Sequence, residues 1–146
     1  MDEFSARVVA EARSWIGTPY VHQAARKGAG TDCLGLIRGV WRHLYGEEPE
    51  RAPAYSRDWS EPQGDERLWA AARRHLLARP LDTLAPGGVV LFRMKAGCVA
   101  KHLGVVAQTG ANASFVHAYS GHGVVESPMS APWRRRVVAC FEFPRS

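Results

Sequence analysis

The sequence predicts an α+β domain in which helices come first and an antiparallel sheet follows. In the N-terminal half, apolar residues recur at steps of three and four, the spacing of one buried helix face. From residue 86 onward the pattern changes to short β-branched runs separated by glycine-containing turns. Because connections of hairpin length join neighbouring antiparallel strands, we expect the helices to pack on one such sheet. We expect a single domain that comprises residues 1–146.

The first helix is predicted over residues 3–16. Its apolar side is formed by Phe4, Val8, Val9, Ala12, Trp15 and Ile16. The segment 17–20 ends this helix, since Pro19 disfavours a helical conformation for the residue before it. Residues 21–30 are polar and contain glycine, and we expect them to form a loop.

The second helix is predicted to begin at Cys33 and to end at Gly46. Thr31 or Asp32 can cap its start, because either side chain can accept a hydrogen bond from the first free backbone N–H groups. The predicted apolar face consists of Leu34, Ile37, Val40, Trp41, Leu44 and Tyr45.

Residues 47–64 are rich in Pro, Glu and Arg and also contain Tyr55 and Trp59, so we expect a long surface excursion without regular structure. A third helix is predicted over about 66–78, with Asp65 as its cap. The apolar side of this helix is formed by Leu68, Trp69, Ala72, Leu76 and Leu77.

Five short strands are predicted after the turn at 86–88. They cover residues 89–94, 103–107, 114–119, 124–127 and 137–143. The turns at 109–112 and 121–123 have the glycine content expected of connections between adjacent strands.

The composition is that of a globular protein, with 46% hydrophobic and 23% charged residues. No apolar run is long enough to span a bilayer, and the first residues lack the basic and apolar regions of an export signal. We therefore expect synthesis in the cytoplasm without a signal peptide. Cys33, Cys98 and Cys140 are an odd number without framework spacing, which predicts reduced thiols.

The net charge is +5, and arginines cluster at 73–74 and 134–136. A basic surface suits an anionic partner such as a cell-wall polymer, a nucleic acid or an acidic protein surface. Solvated helix faces are the other interpretation of these clusters. No nucleic-acid-binding motif accompanies them, so nucleic acid is the least favoured partner.

Cys33 is the first candidate for chemistry. It lies in the first turn of a predicted helix, where the helix dipole favours a thiolate, the nucleophilic form of cysteine. The alternative is a small core residue at a helix start, since free cysteine is commonly buried.

His102 and His117 stand apart from the other four histidines, because each lies on or at the edge of a predicted strand. Neighbouring antiparallel strands can place the two rings side by side on one face. A thiol, an imidazole and a second polar group that orients the imidazole form the nucleophile, base and orienter of a cysteine hydrolase. The alternatives are hydrogen-bonded structural histidines, or a metal site formed with Cys33 and Cys98.

Five segments together resemble the NlpC family of papain-like cell-wall peptidases. They are Gly17-Thr-Pro-Tyr20, Thr31-Asp-Cys-Leu-Gly-Leu36, Pro86-Gly-Gly-Val-Val-Leu-Phe92, His102-Leu-Gly-Val-Val106 and Phe115-Val-His-Ala118. The resemblance covers residues 5–143, and the order of the segments is more specific than any one of them. It implies a papain-like fold in which the helix that carries the nucleophile packs on a C-terminal antiparallel sheet.

The resemblance implies that Cys33 is the nucleophile, His102 the base and His117 the third polar residue. Tyr20 matches a tyrosine whose hydroxyl lies near the cysteine and helps to bind the substrate carbonyl. Asp32 matches a residue that contacts the substrate's amine or backbone in some members. Two features depart from the family pattern: Leu34 replaces the usual serine after the cysteine, and the segment between the Cys33 helix and the first strand is longer than in minimal members.

The implied reaction is hydrolysis of an amide in the peptidoglycan stem peptide, at the bond from D-glutamate to diaminopimelate, without metal or cofactor. The subgroup that the chain resembles belongs to tailed phages and gene transfer agents, which implies tail or baseplate hub proteins as partners and action in the periplasm or cell wall. The alternatives are a structural tail adaptor with the same fold and an acyltransferase on that fold. Because the transferase relatives place histidine before cysteine, the order Cys33 then His102 disfavours the second alternative.

Overall fold

The computed structural model of the protein describes residues 1–50 and 66–145. Most of the excursion expected over 47–64, together with the cap expected of Asp65, lies outside these residues. Among the described residues, three helices precede an antiparallel sheet and a short fourth helix lies between its last two strands along the chain, which confirms the α+β class. No helix within these ranges is both long and apolar enough to cross a membrane.

The helices are α1 (Glu3–Ser14), α2 (Cys33–Tyr45), α3 (Arg67–His75) and the short α4 (Ala131–Arg136). Asp2 caps α1 by accepting a hydrogen bond from the Ser5 amide at 2.8 Å. The helix ends two residues earlier than predicted, and Ile16 lies in the turn after it, 46% exposed rather than buried.

The strands of the main sheet follow the order β3-β8-β4-β5-β6-β7, and every pair is antiparallel. Their bounds are β3 (Leu77–Arg79), β4 (Val89–Phe92), β5 (His102–Gln108), β6 (Ser114–Tyr119), β7 (Gly123–Pro128) and β8 (Val137–Glu142). The five predicted strands are thus confirmed, with small changes of length. A separate hairpin of β1 (Ala25–Arg26) and β2 (Gly30–Thr31) occupies the segment expected to be a loop.

The predicted helix over 66–78 is too long. The backbone becomes extended at Leu76, and the next three residues form β3 against β8. Pro80 explains the change, because it disfavours helical geometry at Arg79 and so favours the edge strand. Leu77, expected on the apolar side of the helix, is consequently 49% exposed.

Both faces of the sheet are covered. Alternate residues of β4 point to opposite faces, so Val89 and Leu91 pack beneath the helices while Val90 and Phe92 join a second cluster with Trp133 of α4. α2 packs against α1, β5 and β6, which brings the start of α2 to the sheet.

Two glycines allow this close approach of α2. A methyl group at Gly39 would overlap the ring of Trp15, the residue that follows α1, and one at Gly35 would overlap the carbonyl oxygen of Ala24. The buried face of α2 therefore includes both glycines and Leu36, whereas the predicted Leu34 and Trp41 are only partly buried.

Candidate active site

Cys33 is the first residue of α2 and is 6% exposed. Asp32 precedes it as the cap and accepts a hydrogen bond from the Gly35 amide at 2.7 Å. The Cys33 Sγ lies 3.6 Å from the carbonyl oxygen of Lys101, the residue directly before β5. The helix start thus presents the sulfur to the strand that carries His102.

The electrostatic state of Cys33 differs from the sequence prediction. Burial, followed by the negative charge of Asp32, raises the pKa of the thiol to about 12. Backbone N–H groups, including those of Cys33 and Leu34 at the helix start, act in the expected direction but are outweighed. The expectation of a favoured thiolate is therefore wrong for the resting protein, which holds a neutral thiol.

His102 and His117 lie on adjacent strands and contact each other directly, as predicted. The Nε2 atom of His102 is 2.7 Å from Nδ1 of His117. The Nε2 atom of His117 is in turn 2.8 Å from Oγ of Ser127 on β7. Three neighbouring strands therefore contribute one side chain each to a continuous hydrogen-bonded chain.

Aromatic rings enclose the two histidines. The Trp133 ring lies 5.7 Å from the His102 ring and 5.2 Å from the His117 ring, measured between centroids. The other enclosing rings belong to Phe92, Phe115 and Tyr119. Because this environment disfavours a charged ring, burial lowers the pKa of His102 to about 3 and that of His117 to about 4.

A pocket of about 160 Å³ opens over this arrangement. Tyr20, Asp32, Cys33 and His102 all line it, so the structure brings together four of the five residues singled out from the sequence. The fifth, His117, is fully buried behind His102 and does not line the pocket.

Asp32 is 2% exposed and holds one wall of the pocket in place. Besides capping α2, its second carboxylate oxygen accepts a hydrogen bond from the Gln23 amide at 2.7 Å and lies 3.9 Å from Nδ1 of His22. Gln23 has a φ of 65°, in the left-handed region, so the bond to Asp32 supports an otherwise unfavourable backbone conformation. In the structure, Asp32 is a helix cap and a backbone acceptor at the wall of the pocket.

Sequence reasoning missed His22, Ser127 and Trp133. His22 lines the pocket, although its position in a polar segment gave no sign of this. Ser127 bonds His117 only because of the register of β6 against β7. Trp133 had a detectable signal, since Ser130 followed by Pro132 is a typical helix start, and the helix α4 places this ring over the histidines.

No group of three or more His, Cys, Asp or Glu side chains is arranged to hold a metal ion within residues 1–50 and 66–145. Of the four side chains considered for such a site, Cys33 and His102 line the pocket, whereas Cys98 and His117 do not.

Comparisons with known proteins identify a family and several relatives. The sequence model of the NlpC/P60 family matches residues 17–142. The chain is 27% identical over 135 residues to the murein DD-endopeptidase MepS/murein LD-carboxypeptidase of Escherichia coli strain K12, covering 92% of this chain and 60% of that protein. It is 28% identical over 137 residues to the gamma-DL-glutamyl hydrolase of Bacillus subtilis strain 168, covering 93% of this chain and 29% of that protein. The chain thus spans less than two thirds of the length of either relative.

Solved structures show the same fold. The NlpC/p60 domain of the peptidoglycan hydrolase SagA superposes with a TM-score of 0.64 at 21% identity, over 95% of this chain and 98% of that one. An NLP/P60 family protein similar to a lipoprotein, from Staphylococcus aureus Mu50, superposes with a TM-score of 0.61 at 20% identity, over 100% of this chain and 43% of that one.

Proposed function

The chain belongs to the NlpC/P60 family, and from this premise we propose that it is a cysteine peptidase that hydrolyses an amide bond in the peptidoglycan stem peptide. The observation that carries the proposal is the position of Cys33, at the start of α2 and in one pocket with His102, whose ring is bonded to His117. The names of the two relatives, a murein endopeptidase and a glutamyl hydrolase, support the substrate class.

In the proposed reaction, Cys33 transfers its thiol proton to His102 as the sulfur attacks the substrate carbonyl. Because Nε2 of His102 is bonded to His117, Nδ1 is the atom that takes this proton. The resting pair is neutral, so the ion pair forms only during the attack, when the growing negative charge on the carbonyl oxygen is stabilised. The backbone N–H of Cys33 and the hydroxyl of Tyr20 are the proposed donors to that oxygen.

The protonated His102 then gives its proton to the leaving amine, and the acyl group stays on Cys33 as a thioester. Water, deprotonated by His102, attacks the thioester and releases the new carboxylate. Thiol and imidazole return to their neutral states, so the cycle needs no cofactor.

We propose the bond from D-glutamate to diaminopimelate as the scissile amide. The name of the Bacillus relative, a gamma-DL-glutamyl hydrolase, favours a glutamyl bond. The extra carboxylate of diaminopimelate suits the basic character of the chain, which carries 19 Lys and Arg against 14 Asp and Glu.

The test is digestion of purified Gram-negative peptidoglycan by the wild type and by Cys33→Ala, with the products identified by mass spectrometry. The proposal predicts stem fragments that end in D-glutamate, from the wild type alone. Equal products from both proteins would refute the role of Cys33, and cleavage at another amide would refute the proposed bond.

The proposed setting, as a component of a phage-like tail that docks on tail or baseplate hub proteins and opens the cell wall, rests on the sequence resemblance alone. Immunogold labelling of particles made by the source cells tests it. Label at the tail tip is the expected result, and label confined to the cell envelope would contradict it.

A further inference from the structure

Ser127 is the end of the hydrogen-bonded chain that begins at His102. It lies on β7 opposite Phe115 of β6, is half-buried, and places its Oγ 2.8 Å from Nε2 of His117. It also lines a cavity of about 530 Å³, which shares no lining residue with the pocket that contains Cys33. The chain of side chains therefore connects the pocket with a separate polar cavity.

The hydrogen-bonded side chains of His102, His117 and Ser127 can hold their protons in two arrangements, and only one of them supports the reaction. For Nδ1 of His102 to accept the thiol proton, the ring hydrogen must sit on Nε2. That N–H donates to Nδ1 of His117, which forces the hydrogen of His117 onto its own Nε2. His117 then requires an acceptor at Nε2.

The reverse arrangement disables the site. If His117 carried its hydrogen on Nδ1, it would donate to His102 and push the hydrogen of His102 onto Nδ1. His102 could then no longer take the thiol proton. The Ser127 hydroxyl can accept from or donate to Nε2 of His117, so it can satisfy either arrangement. Without it, the arrangement that supports the reaction would leave a buried N–H of His117 with no acceptor, which is costly.

We propose that Ser127 is a positioning residue that supplies the acceptor for the Nε2 hydrogen of His117, which the productive tautomer of His102 requires, and thereby stabilises the tautomer that receives the Cys33 proton. In this arrangement the serine's own proton points away from Nε2 of His117. This inference rests on the proposed function, in which His102 is the base.

Two variants test it. Ser127→Ala removes the acceptor, and Ser127→Thr keeps a hydroxyl at the same position. Ser130→Ala is the matched control, because Ser130 lines the same cavity, is exposed and forms no side-chain cap on α4. Circular dichroism verifies that each variant is folded.

The first readout is the tautomer of each histidine, measured by long-range ¹H–¹⁵N correlation spectra of ¹⁵N-histidine-labelled protein. We expect His102 and His117 to carry hydrogen on Nε2 in the wild type, in Ser127→Thr and in Ser130→Ala. In Ser127→Ala we expect a substantial population with hydrogen on Nδ1. Identical tautomers in Ser127→Ala and the wild type would overturn the inference.

The second readout is the kinetics of stem-peptide cleavage. Since the loss affects proton transfer and not binding, we expect kcat of Ser127→Ala to fall by about tenfold to a hundredfold with KM unchanged, and Ser127→Thr to recover most of it. A kcat equal to that of Ser130→Ala would overturn the inference. A wild type without peptidase activity would refute the proposed function, and the tautomer spectra would still decide the role of Ser127.

Discussion

At the scale of single residues, Cys33 experiences two opposed influences. The start of α2 favours the thiolate. Burial and the adjacent Asp32 carboxylate favour the thiol, and these two effects outweigh that of the helix start. The sequence could predict the first influence, because Asp32 and the apolar period mark the helix start. It could not predict the second, since the depth at which Cys33 is buried depends on how β5 and the hairpin of β1 and β2 close around it.

Replacing Asp32 with Asn tests this balance. Asn caps a helix about as well as Asp, so α2 should remain, while the negative charge beside Cys33 and the hydrogen bond from the Gln23 amide are lost. We expect alkylation of Cys33 by iodoacetamide at pH 8 to be several-fold faster in Asp32→Asn than in the wild type. In the wild type the rate should still be rising above pH 9. Peptide mapping separates Cys33 from Cys98 and Cys140, and a wild-type rate that is already constant below pH 7 would contradict the neutral resting thiol.

The histidine pair could be predicted from the sequence because strands have a period of two residues and adjacent strands lie about 5 Å apart. His102 and His117 needed only neighbouring antiparallel strands to meet. The positions of Ser127 and His22 at the site could not be predicted from the strand period alone. The first depends on the register of β7, and the second on the strained turn at Gln23, neither of which the sequence specifies.

At the scale of elements, α2 brings Cys33 to the sheet because its glycines let neighbouring elements come close. The apolar period correctly predicted a helix from Cys33 to Tyr45. It did not identify Gly35 and Gly39 as part of the buried face, because a residue without a side chain carries no hydrophobic signal. The third helix was predicted too long for a different reason: its apolar period continues through Leu76 and Leu77, although Pro80 favours the extended backbone of β3.

Gly39→Ala tests the packing of α2 on α1. On an exposed helix face this change stabilises a protein by about 1 kcal/mol, because alanine has the higher helix propensity. At Gly39 the added methyl group would overlap the Trp15 ring, so we expect the free energy of unfolding to fall by about 1–3 kcal/mol. Urea denaturation measures the change in the free energy of unfolding. An increase in stability would show that Trp15 does not lie against Gly39.

At the scale of the whole molecule, the site forms where elements from both halves of the chain meet. The helix α2 supplies the thiol, β5 and β6 supply the histidines, and α4 covers the rings with Trp133. The order of helices and strands could be predicted from the change of period near residue 86. The cover by α4 could not, because its contact with Phe92 and Phe115 arises only when the second face of the sheet is assembled.

This enclosure predicts how stability depends on pH. His102 and His117 have folded-state pKa values of about 3 and 4, below the ordinary value of 6.5, so the unfolded chain binds more protons than the folded one as the pH falls below 6.5. The free energy of unfolding should therefore decrease on acidification, by about 2–5 kcal/mol between pH 7 and pH 4.5. Urea midpoints across this range measure it.

The window from pH 6.5 to 5 is the most informative, because few carboxylates titrate there. In this window we expect His117→Asn to show a smaller dependence on pH than the wild type, since one of the two buried rings is gone. A wild-type stability that stays constant between pH 7 and pH 5 would mean that the rings are not buried in the neutral state.

The most direct test of the central claim, that Cys33 and His102 hydrolyse a stem-peptide amide through a thioester, is acid-quenched mass spectrometry of the intact protein mixed with L-Ala-γ-D-Glu-diaminopimelate. The account predicts a transient adduct with the mass of the acyl half, located on the peptide that contains Cys33, and neither adduct nor cleavage with Cys33→Ala. Cleavage that persists in Cys33→Ala, with no adduct on the wild type, would contradict it.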